Sequence, residues 1–501
     1  MLDRFFRLSE NGTTARTELL AGLTTFLTMA YIIVVQPAVL SGRMSGVETG
    51  MDFNSVMTAT CLSAAIATAI MGLYARYPIA QAPGMGENFF FVVTLLPAAA
   101  GVIAAGVASR SIEPGSTTPW QIGLGVVFYS GVLFLLLSLF GVREALLDAV
   151  SPSMRNGIAA GIGLFIAFIG LQNAGLVVAA PGTLVTMSRQ FASPDLVVFF
   201  FGLFVTGVLY VLRVRGAIIS GMVAATALAL VLHHGLGRVW PTAAQSPLVA
   251  QSKLETQFAP AAAALWHAGP VARQFAPAAL WQAGPLAMPS LAPTLLKLDL
   301  VHSLAGPMLP FIVIFLFMVL FDTLGTLIGV TEQAGLVKDN KLPRARQALM
   351  SDAIGTVAGA ALGTSTVTSF VESAAGVEQG GRTGLTAIVV AALFLVAIVF
   401  SPLVAMVGSY PSITAPALVV VGSLMMRNVA KIDWENYAEA LPSFLILIGI
   451  PMTFSIADGL ALGFIAYPVV KLFAGQGRQV KWLMYVMAVV LAGYFVLVAG
   501  G

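Results

Sequence analysis

Charged residues, cysteine and histidine are all scarce in this chain. Only 9% of its 501 residues are charged, whereas soluble proteins carry roughly 25%. The single cysteine, Cys61, excludes a disulfide framework and a metal site built on cysteine, and the four histidines lie in or beside one long connection. The nucleotide-binding patterns GxxxxGKS and GxxxxGKT are absent as well. These absences argue against a soluble enzyme and against a resident metal or cofactor.

Apolar segments fill most of the sequence instead. Hydrophobic residues make up 58% of the chain and the mean hydropathy is +0.92, and many apolar runs reach the ~20 residues that a spanning helix needs. The pattern predicts an all-α polytopic membrane protein. We place fourteen spans at about 17–40, 54–75, 80–97, 118–140, 156–176, 194–212, 216–234, 302–330, 346–362, 364–380, 384–407, 412–426, 438–456 and 457–473. The stretch 481–499 is either a further span or an interfacial helix.

The distribution of Lys and Arg predicts the orientation of these spans. With the N-terminus in the cytoplasm, 18 of the 25 basic residues fall on the inner side, as the positive-inside rule requires. The net charge of +3 therefore needs no nucleic-acid partner to explain it. We expect no cleavable signal peptide, because a polar N-terminus leads directly into a full-length span.

The stretch 363–384 interrupts two apolar segments where a helix should continue. It begins with the small and β-branched residues TSTVTSF, which favour an extended backbone. Glu372 then precedes a short run, SAAG, that is compatible with a helix. An extended piece at membrane depth leaves backbone polar groups unpaired, so it is tolerated only inside the protein or beside a cavity. The half-helix that follows directs its N–H groups toward that cavity, and we predict a binding site here.

Residues 78–97 contain a second interruption of the same design. Pro83 and the glycines that follow it cannot continue a helix comfortably, and Glu87 and Asn88 then begin an apolar half-helix at 89–96. The two interruptions fall in the third and tenth spans. Because they are seven spans apart, the second half of the chain enters the membrane in the opposite direction. Broken segments at corresponding places in inverted halves are typical of transporter sites.

The candidate binding residues surround these interruptions. Asp322 lies midway along the eighth span, where a carboxylate costs at least ~2.5–3.5 kcal/mol and is retained for a partner or a substrate. The set comprises Asp322, Glu372, Asn88, Phe89, Glu87, Thr326, Phe370 and Val371. Asp352, early in the ninth span, is interpreted instead as a structural partner of Arg344 or Arg346.

This set of side chains suits a neutral, planar heterocycle. Carboxylates accept hydrogen bonds from ring N–H groups, an amide both accepts and donates, and phenylalanine rings bound a flat ligand. An anion carrier would need Lys or Arg here, and the spans 80–97, 302–330 and 364–380 contain none. Several acids in one low-dielectric pocket repel each other when all are ionised, so that one of them holds a proton. Transport coupled to H⁺ is therefore expected, with Glu372 or Asp322 as the proton carrier.

The motifs APGMGENFFF, FDTLGTLIGV and TSTVTSFVESAAGVEQGGRTGLTA resemble the nucleobase–ascorbate transporter family (nucleobase–cation symporter-2). More narrowly, they resemble its AzgA-like hypoxanthine/adenine/guanine permeases. The resemblance implies two inverted seven-span repeats and substrate contacts at Asp322, Glu372 and Asn88. It implies a core domain (1–140 and 301–408) and a gate domain (141–234 and 409–501) that move against each other, with dimerisation through the gate. The segment 235–300 is expected to be an extracytoplasmic loop with an internal repeat.

Two positions depart from the pattern of that family. Glu87 stands where leucine is common, and Gln36 stands where asparagine is typical, in a Gln36–Pro37 break near the outer end of the first span. The leading hypothesis is proton-coupled import of purine nucleobases across the inner membrane. Another heterocycle such as xanthine or uracil, an uncoupled facilitator or channel, and a membrane enzyme stay open as alternatives.

Overall fold

The computed structural model describes residues 2–44, 48–140, 150–180, 184–214, 216–239, 252–259, 289–334, 344–454 and 456–497. Within these ranges, seven helices are long and apolar enough to cross a membrane, and four shorter apolar helices accompany them. This is the helical polytopic architecture that the sequence predicts. The repeated sequence of the long loop lies outside the described residues, except for 257–259.

The elements follow one another along the chain as helices with four short strands. The helices are α1 Leu2–Phe6, α2 Ala15–Met29, α3 Ile32–Leu40, α4 Phe53–Ile70, α5 Met85–Phe89, α6 Leu96–Ala108, α7 Pro119–Phe140, α8 Pro152–Asn173, α9 Pro194–Val211, α10 Ala217–Val239, α11 Leu309–Gln333, α12 Ala345–Leu362, α13 Ser373–Glu378, α14 Gly384–Ala397, α15 Ser401–Gly408, α16 Pro411–Met425, α17 Tyr437–Thr453, α18 Ile456–Phe473 and α19 Trp482–Leu497. The strands are β1 Gln81–Pro83, β2 Val177–Ala180, β3 Leu184–Met187 and β4 Val367–Ser369.

The chain divides into two compact units. The first comprises Met1–Ala82, Ala167–Thr294 and Glu372–Val420, and the second comprises Pro83–Ile166, Leu295–Val371 and Val421–Gly501. The core and gate domains described above stay a prediction.

In the first unit, α14 packs against both α2 and α4. The start of α14 is held by Glu18 of α2, whose fully buried carboxylate accepts hydrogen bonds from the N–H groups of Arg382 at 2.9 Å, Thr383 at 3.3 Å and Thr386 at 3.2 Å. A helix start leaves such N–H groups without intrahelical partners, and a negative charge there is favoured by the helix dipole. Glu18 thus anchors the arginine-containing loop GGRTG to the first span.

In the second unit, α7 packs against α11 and α12, and α17 packs along α18. Glycines permit the close approach of neighbouring elements, since a Cβ at Gly131 would lie 2.9 Å from Val357 and one at Gly157 would lie 2.9 Å from the Ser443 carbonyl. Strand β4 lies against both α11 and α12, and so brings its side chains to the two helices that carry Asp322 and Asp352.

The first and third spans differ from their predicted form. The first span is interrupted at Ala30 and Tyr31, between α2 and α3, whereas Pro37 lies inside α3. At the interruption, Ile33 N donates to Ala30 O and Val34 N donates to Tyr31 O, which is the tighter 3₁₀ spacing. The third span continues to Ala108 through a π-helical turn at Phe90–Leu95, which accommodates the missing N–H of Pro97.

Two further differences concern connections. The eighth span begins as regular helix at Leu309 rather than at 302, because Gly306 and Pro307 confine the preceding residues to short 3₁₀ turns. Strands β2 and β3 form an antiparallel hairpin with Val177 opposite Met187 and Ala180 opposite Leu184. This antiparallel pair was not predicted from the sequence.

Candidate functional site

At both interruptions that the sequence predicts, the backbone is extended. The interruption in 78–97 contains strand β1 and that in 363–384 contains strand β4, and each strand is fully buried. Within the second unit, the N–H of Gly84 donates to the carbonyl of Thr366 at 3.1 Å. Prolines prevent a helix around β1, and β-branched residues favour an extended chain in β4. The pairing satisfies backbone groups that a membrane-depth extended segment would otherwise leave unpaired.

Glu87, Asn88 and Phe89 lie directly after β1, on the first turn of the third-span helix. All three are buried, with exposed fractions of 3%, 0% and 0%. The Oδ1 atom of Asn88 accepts a hydrogen bond from the Ser365 hydroxyl. A Cβ at residue 84 would overlap the Glu87 carboxylate, so the glycine in PGMG leaves the space that this acid occupies. The ring of Phe89 packs edge to face against Phe165, with centroids 6.3 Å apart.

Asp322 lies on α11 in the same unit. Its side chain is exposed, although its helix neighbours Thr323, Thr326 and Leu327 are buried. It forms a side-chain hydrogen bond with Thr368 of β4, and it lies close enough to Glu87 for their charges to interact. An accessible carboxylate on an otherwise buried helix face is available to a ligand.

Asp352 lies on the other helix that flanks β4. It is fully buried, and the Ser369 hydroxyl lies 3.2 Å from one of its carboxylate oxygens and 3.4 Å from the other. Consecutive residues of β4, Thr368 and Ser369, therefore bind two different acids. Side chains that alternate along a strand reach its two flanking neighbours.

Glu372 belongs to the first unit and immediately precedes α13. The hydroxyl of Tyr31 donates to its Oε1 atom at 2.7 Å, and Thr28 Oγ1 lies 3.4 Å from its backbone carbonyl. The next residue, Ser373, accepts a hydrogen bond at its hydroxyl from the N–H of Ala80 at 3.0 Å. Residues of the first span and of the segment before β1 thus hold the half-helix that carries Glu372.

The remaining predicted residues differ in exposure. Phe370 is 6% exposed, whereas Val371 is 59% exposed. The structure places Asp322, Asn88, Phe89, Glu87, Thr326, Phe370 and Val371 in the second unit and Glu372 in the first. Among the described residues, no group of three or more His, Cys, Asp and Glu side chains is arranged to hold a metal ion.

A separate cavity of about 470 Å³ lies in the first unit. Apolar residues of α9 and its C-terminal end, together with Val420, line it: Leu203, Phe204, Gly207, Val208, Val211, Leu212 and Val420. It offers no side-chain donor or acceptor for a heterocycle.

Sequence comparison decides the family. A model described as Permease family, Xan_ur_permease, matches residues 16–462. The chain belongs to this nucleobase–ascorbate transporter family. This match confirms that the motifs resemble those of the nucleobase–ascorbate transporter family. The members of this family are membrane permeases.

Several permeases are similar to this chain over nearly its whole length. A permease of Methanocaldococcus jannaschii is 43% identical over 100% of this chain and 99% of its own. The guanine/hypoxanthine permease PbuG of Bacillus subtilis is 40% identical over 98% and 99%, and the adenine permease AdeP of Escherichia coli is 38% identical over 97% and 94%.

A solved structure supports the fold. The transmembrane domain of the cyanobacterial bicarbonate transporter BicA matches with a TM-score of 0.53 and 14% identity, covering 89% of this chain and 96% of that domain. At this identity the match concerns the fold alone. Together with the apolar helices, it confirms the predicted class, a helical polytopic membrane protein with extended pieces in spans 3 and 10.

Three contacts of the site were not predicted from the sequence. They are the Tyr31 bond to Glu372, the Ser365 bond to Asn88 and the Ser369 bond to Asp352. The repeated hydroxyls of TSTVTSF were a usable signal for the second and third, since buried hydroxyls normally find partners. Nothing in the sequence near Tyr31 indicated its bond to Glu372.

Proposed function

We propose that this permease imports purine nucleobases by proton symport. The observation that supports the cargo best is the full-length similarity to permeases named for guanine, hypoxanthine and adenine. The acids beside β1 and β4 agree with such a cargo, because purines are neutral, planar and rich in N–H donors. Hypoxanthine, adenine and guanine are all candidate substrates.

Each predicted residue has a role in this proposal. Asp322 and Glu372 accept hydrogen bonds from the N–H groups of the base, and Asn88, fixed by Ser365, orients it. Phe89 and Phe370 form walls that bound the plane of the base, and Thr326 and Val371 complete the lining. Glu87 lies close to Asp322 and alters the charge available for substrate and proton.

The coupling step uses one of these acids. Glu372 or Asp322 takes up a proton together with the base and releases it on the inner side, which links uptake to the proton gradient. The core domain moves against the gate domain in an elevator-like manner. In this proposal the protein lies in the inner membrane with a cytoplasmic N-terminus, and it dimerises through the gate.

The proposal is tested by uptake of radiolabelled hypoxanthine in cells that lack nucleobase transporters. Glu372→Gln and Asp322→Asn are each expected to lower kcat/KM by ~10–100-fold, because a hydrogen bond to a charged group contributes ~1.5–3 kcal/mol. Glu378→Gln is the matched control, since Glu378 is an exposed acid at the other end of α13. It is expected to retain uptake.

Competition by unlabelled bases then defines the cargo. Inhibition by guanine or adenine, with little effect of uracil or xanthine, supports a purine site of the proposed kind. Absence of hypoxanthine uptake by a well-expressed protein, with uptake of another heterocycle, would overturn the purine assignment and direct attention to Glu87.

A further inference from the structure

We infer that Tyr31 is a positioning residue that sets the orientation and charge state of Glu372. This inference rests on the proposed role of Glu372 in substrate binding. Tyr31 is 1% exposed, and its hydroxyl donates to Glu372 Oε1 at 2.7 Å. A bond of this length between a hydroxyl and a carboxylate is a charge-assisted hydrogen bond, which is stronger than a bond between neutral groups.

The position of Tyr31 in the first span explains why its hydroxyl can serve in this way. Tyr31 lies between α2 and α3, where the backbone stays helical but Ile33 and Val34 donate to the carbonyls three residues earlier. A stretch of such tighter bonding within a helix often marks a functional hinge or a sequence under strain.

The neighbouring residues of the first span fix the half-helix of Glu372 at close range. A Cβ at Gly376 of α13 would overlap Thr25 Oγ1, and it would lie 2.7 Å from the carbonyl of Ala21. Thr28 Oγ1 approaches the Glu372 carbonyl at 3.4 Å, and Thr13 Oγ1 donates to the Gly380 carbonyl at 3.3 Å. The backbone of α13 is therefore held against α2.

With the backbone held, the direction of the Glu372 carboxylate depends on its side-chain torsions. A glutamate has several rotamers of similar energy. The Tyr31 hydroxyl selects those in which Oε1 faces the first span. A donated hydrogen bond also stabilises the ionised form of a carboxylate. Tyr31 therefore links the N-terminal half of the chain to the acid of the C-terminal half.

The inference predicts a specific phenotype for Tyr31→Phe. The substitution removes one hydroxyl and keeps the ring, so packing is retained. We expect the KM for hypoxanthine to rise by about tenfold, as the loss of a charge-assisted hydrogen bond implies, with a smaller change in kcat. The pH profile of uptake is expected to change as well.

Tyr410→Phe is the matched control. Tyr410 is fully buried in the same unit, and its hydroxyl donates to Asp195 Oδ1 at the same distance of 2.7 Å. Its loss removes an equivalent bond to a different acid, Asp195. We expect reduced thermal stability in both variants, but altered KM and pH profile only in Tyr31→Phe. Equal effects in both would overturn the inference and leave Tyr31 a structural residue.

A double-mutant cycle tests whether Tyr31 acts through Glu372. In a Glu372→Gln background, adding Tyr31→Phe is expected to change base binding by less than about twofold, since coupled residues are not additive. Binding is measured by isothermal titration of the purified protein, so that variants without transport can be compared. A full tenfold effect in that background would contradict the inference.

One readout does not depend on the identity of the substrate. A hydrophobic carbodiimide labels protonated carboxyls, and labelling of Glu372 is followed by peptide mass spectrometry. Tyr31→Phe is expected to raise the labelling rate of Glu372 at least about threefold, whereas Tyr410→Phe leaves it unchanged. Unaltered labelling would overturn the inference even if purine transport is confirmed. Raised labelling without purine uptake would support Tyr31 and count only against the proposed cargo.

Discussion

Glu87 is the residue that most distinguishes this chain from the motif it resembles. It is a 3% exposed carboxyl at the start of a membrane helix, close to Asp322. Retaining a carboxyl at such a depth lowers stability, which a protein tolerates mainly where the group has a function. Removal of this carboxyl should therefore raise stability and change the pH dependence of transport.

Glu87→Leu is expected to raise the free energy of unfolding by up to about 2.5 kcal/mol, because the burial of a carboxyl is relieved. The pH dependence of uptake should change at the same time. Thermal unfolding in detergent and uptake at several pH values measure the two effects. Glu87→Gln keeps the shape and removes the charge, so it should show the same trend. A lower unfolding midpoint in both variants, with an unchanged pH profile, would contradict this account of Glu87.

At the scale of elements, glycine permits the second span and the helix after the broken tenth span to approach closely. A Cβ at Gly384, at the start of α14, would overlap the backbone carbonyl of Gly72 at the end of the second span. A backbone atom cannot move aside as a flexible side chain can. The packing of α14 against α4 therefore requires glycine at this position.

Gly384→Ala is expected to lower the free energy of unfolding by ~1–3 kcal/mol, the usual range for overpacking. Gly101→Ala is the control, because Gly101 lies within α6 and a Cβ there would have no neighbour within 4 Å. That control should be neutral or stabilising by up to ~1 kcal/mol. Equal unfolding midpoints for the two variants would show that the contact with Gly72 does not limit packing.

Sequence patterns predicted the elements of the site better than its contacts. Pro83 and Gly84 indicated the extended piece before the third-span helix, and the β-branched run indicated β4, because these residues act on the local backbone. The interruption at Tyr31 and the π-helical turn at Phe90–Leu95 were not predicted, since a local change of hydrogen-bond spacing within a helix leaves the hydrophobic pattern intact. The partners of Asn88, Asp352 and Glu372 depend on packing between distant segments.

At the scale of the whole molecule, the distribution of basic residues predicts which ends of the helices face the cytoplasm. Ser116, between α6 and α7, is exposed and predicted to lie outside, whereas Gln479, between α18 and α19, is exposed and predicted to lie inside. The natural Cys61 is buried, so it provides a low background for labelling of introduced cysteines.

Ser116→Cys is expected to react with a membrane-impermeant maleimide in intact cells. Gln479→Cys should react only after the cells are made permeable. The two variants control for each other, because each reports on one side of the membrane. The reverse pattern would require the opposite orientation of both halves.

The two-half organisation has a direct consequence for transport. Each half of the chain supplies an acid to the second unit, Glu87 after β1 and Asp322 on α11, and Glu372 follows β4 along the chain. In the proposed mechanism, these acids bind a base and a proton together. A passive pore for neutral bases would have no need of them.

Reconstitution into lipid vesicles tests proton-coupled purine transport most directly. Purified protein is incorporated into vesicles with an alkaline interior, and [³H]hypoxanthine accumulation is followed with and without a protonophore. We predict accumulation above the external concentration that is lost with the protonophore and in the Glu372→Gln variant. Entry that stops at equal concentrations, whether or not a gradient is present, would contradict symport and show a facilitator instead.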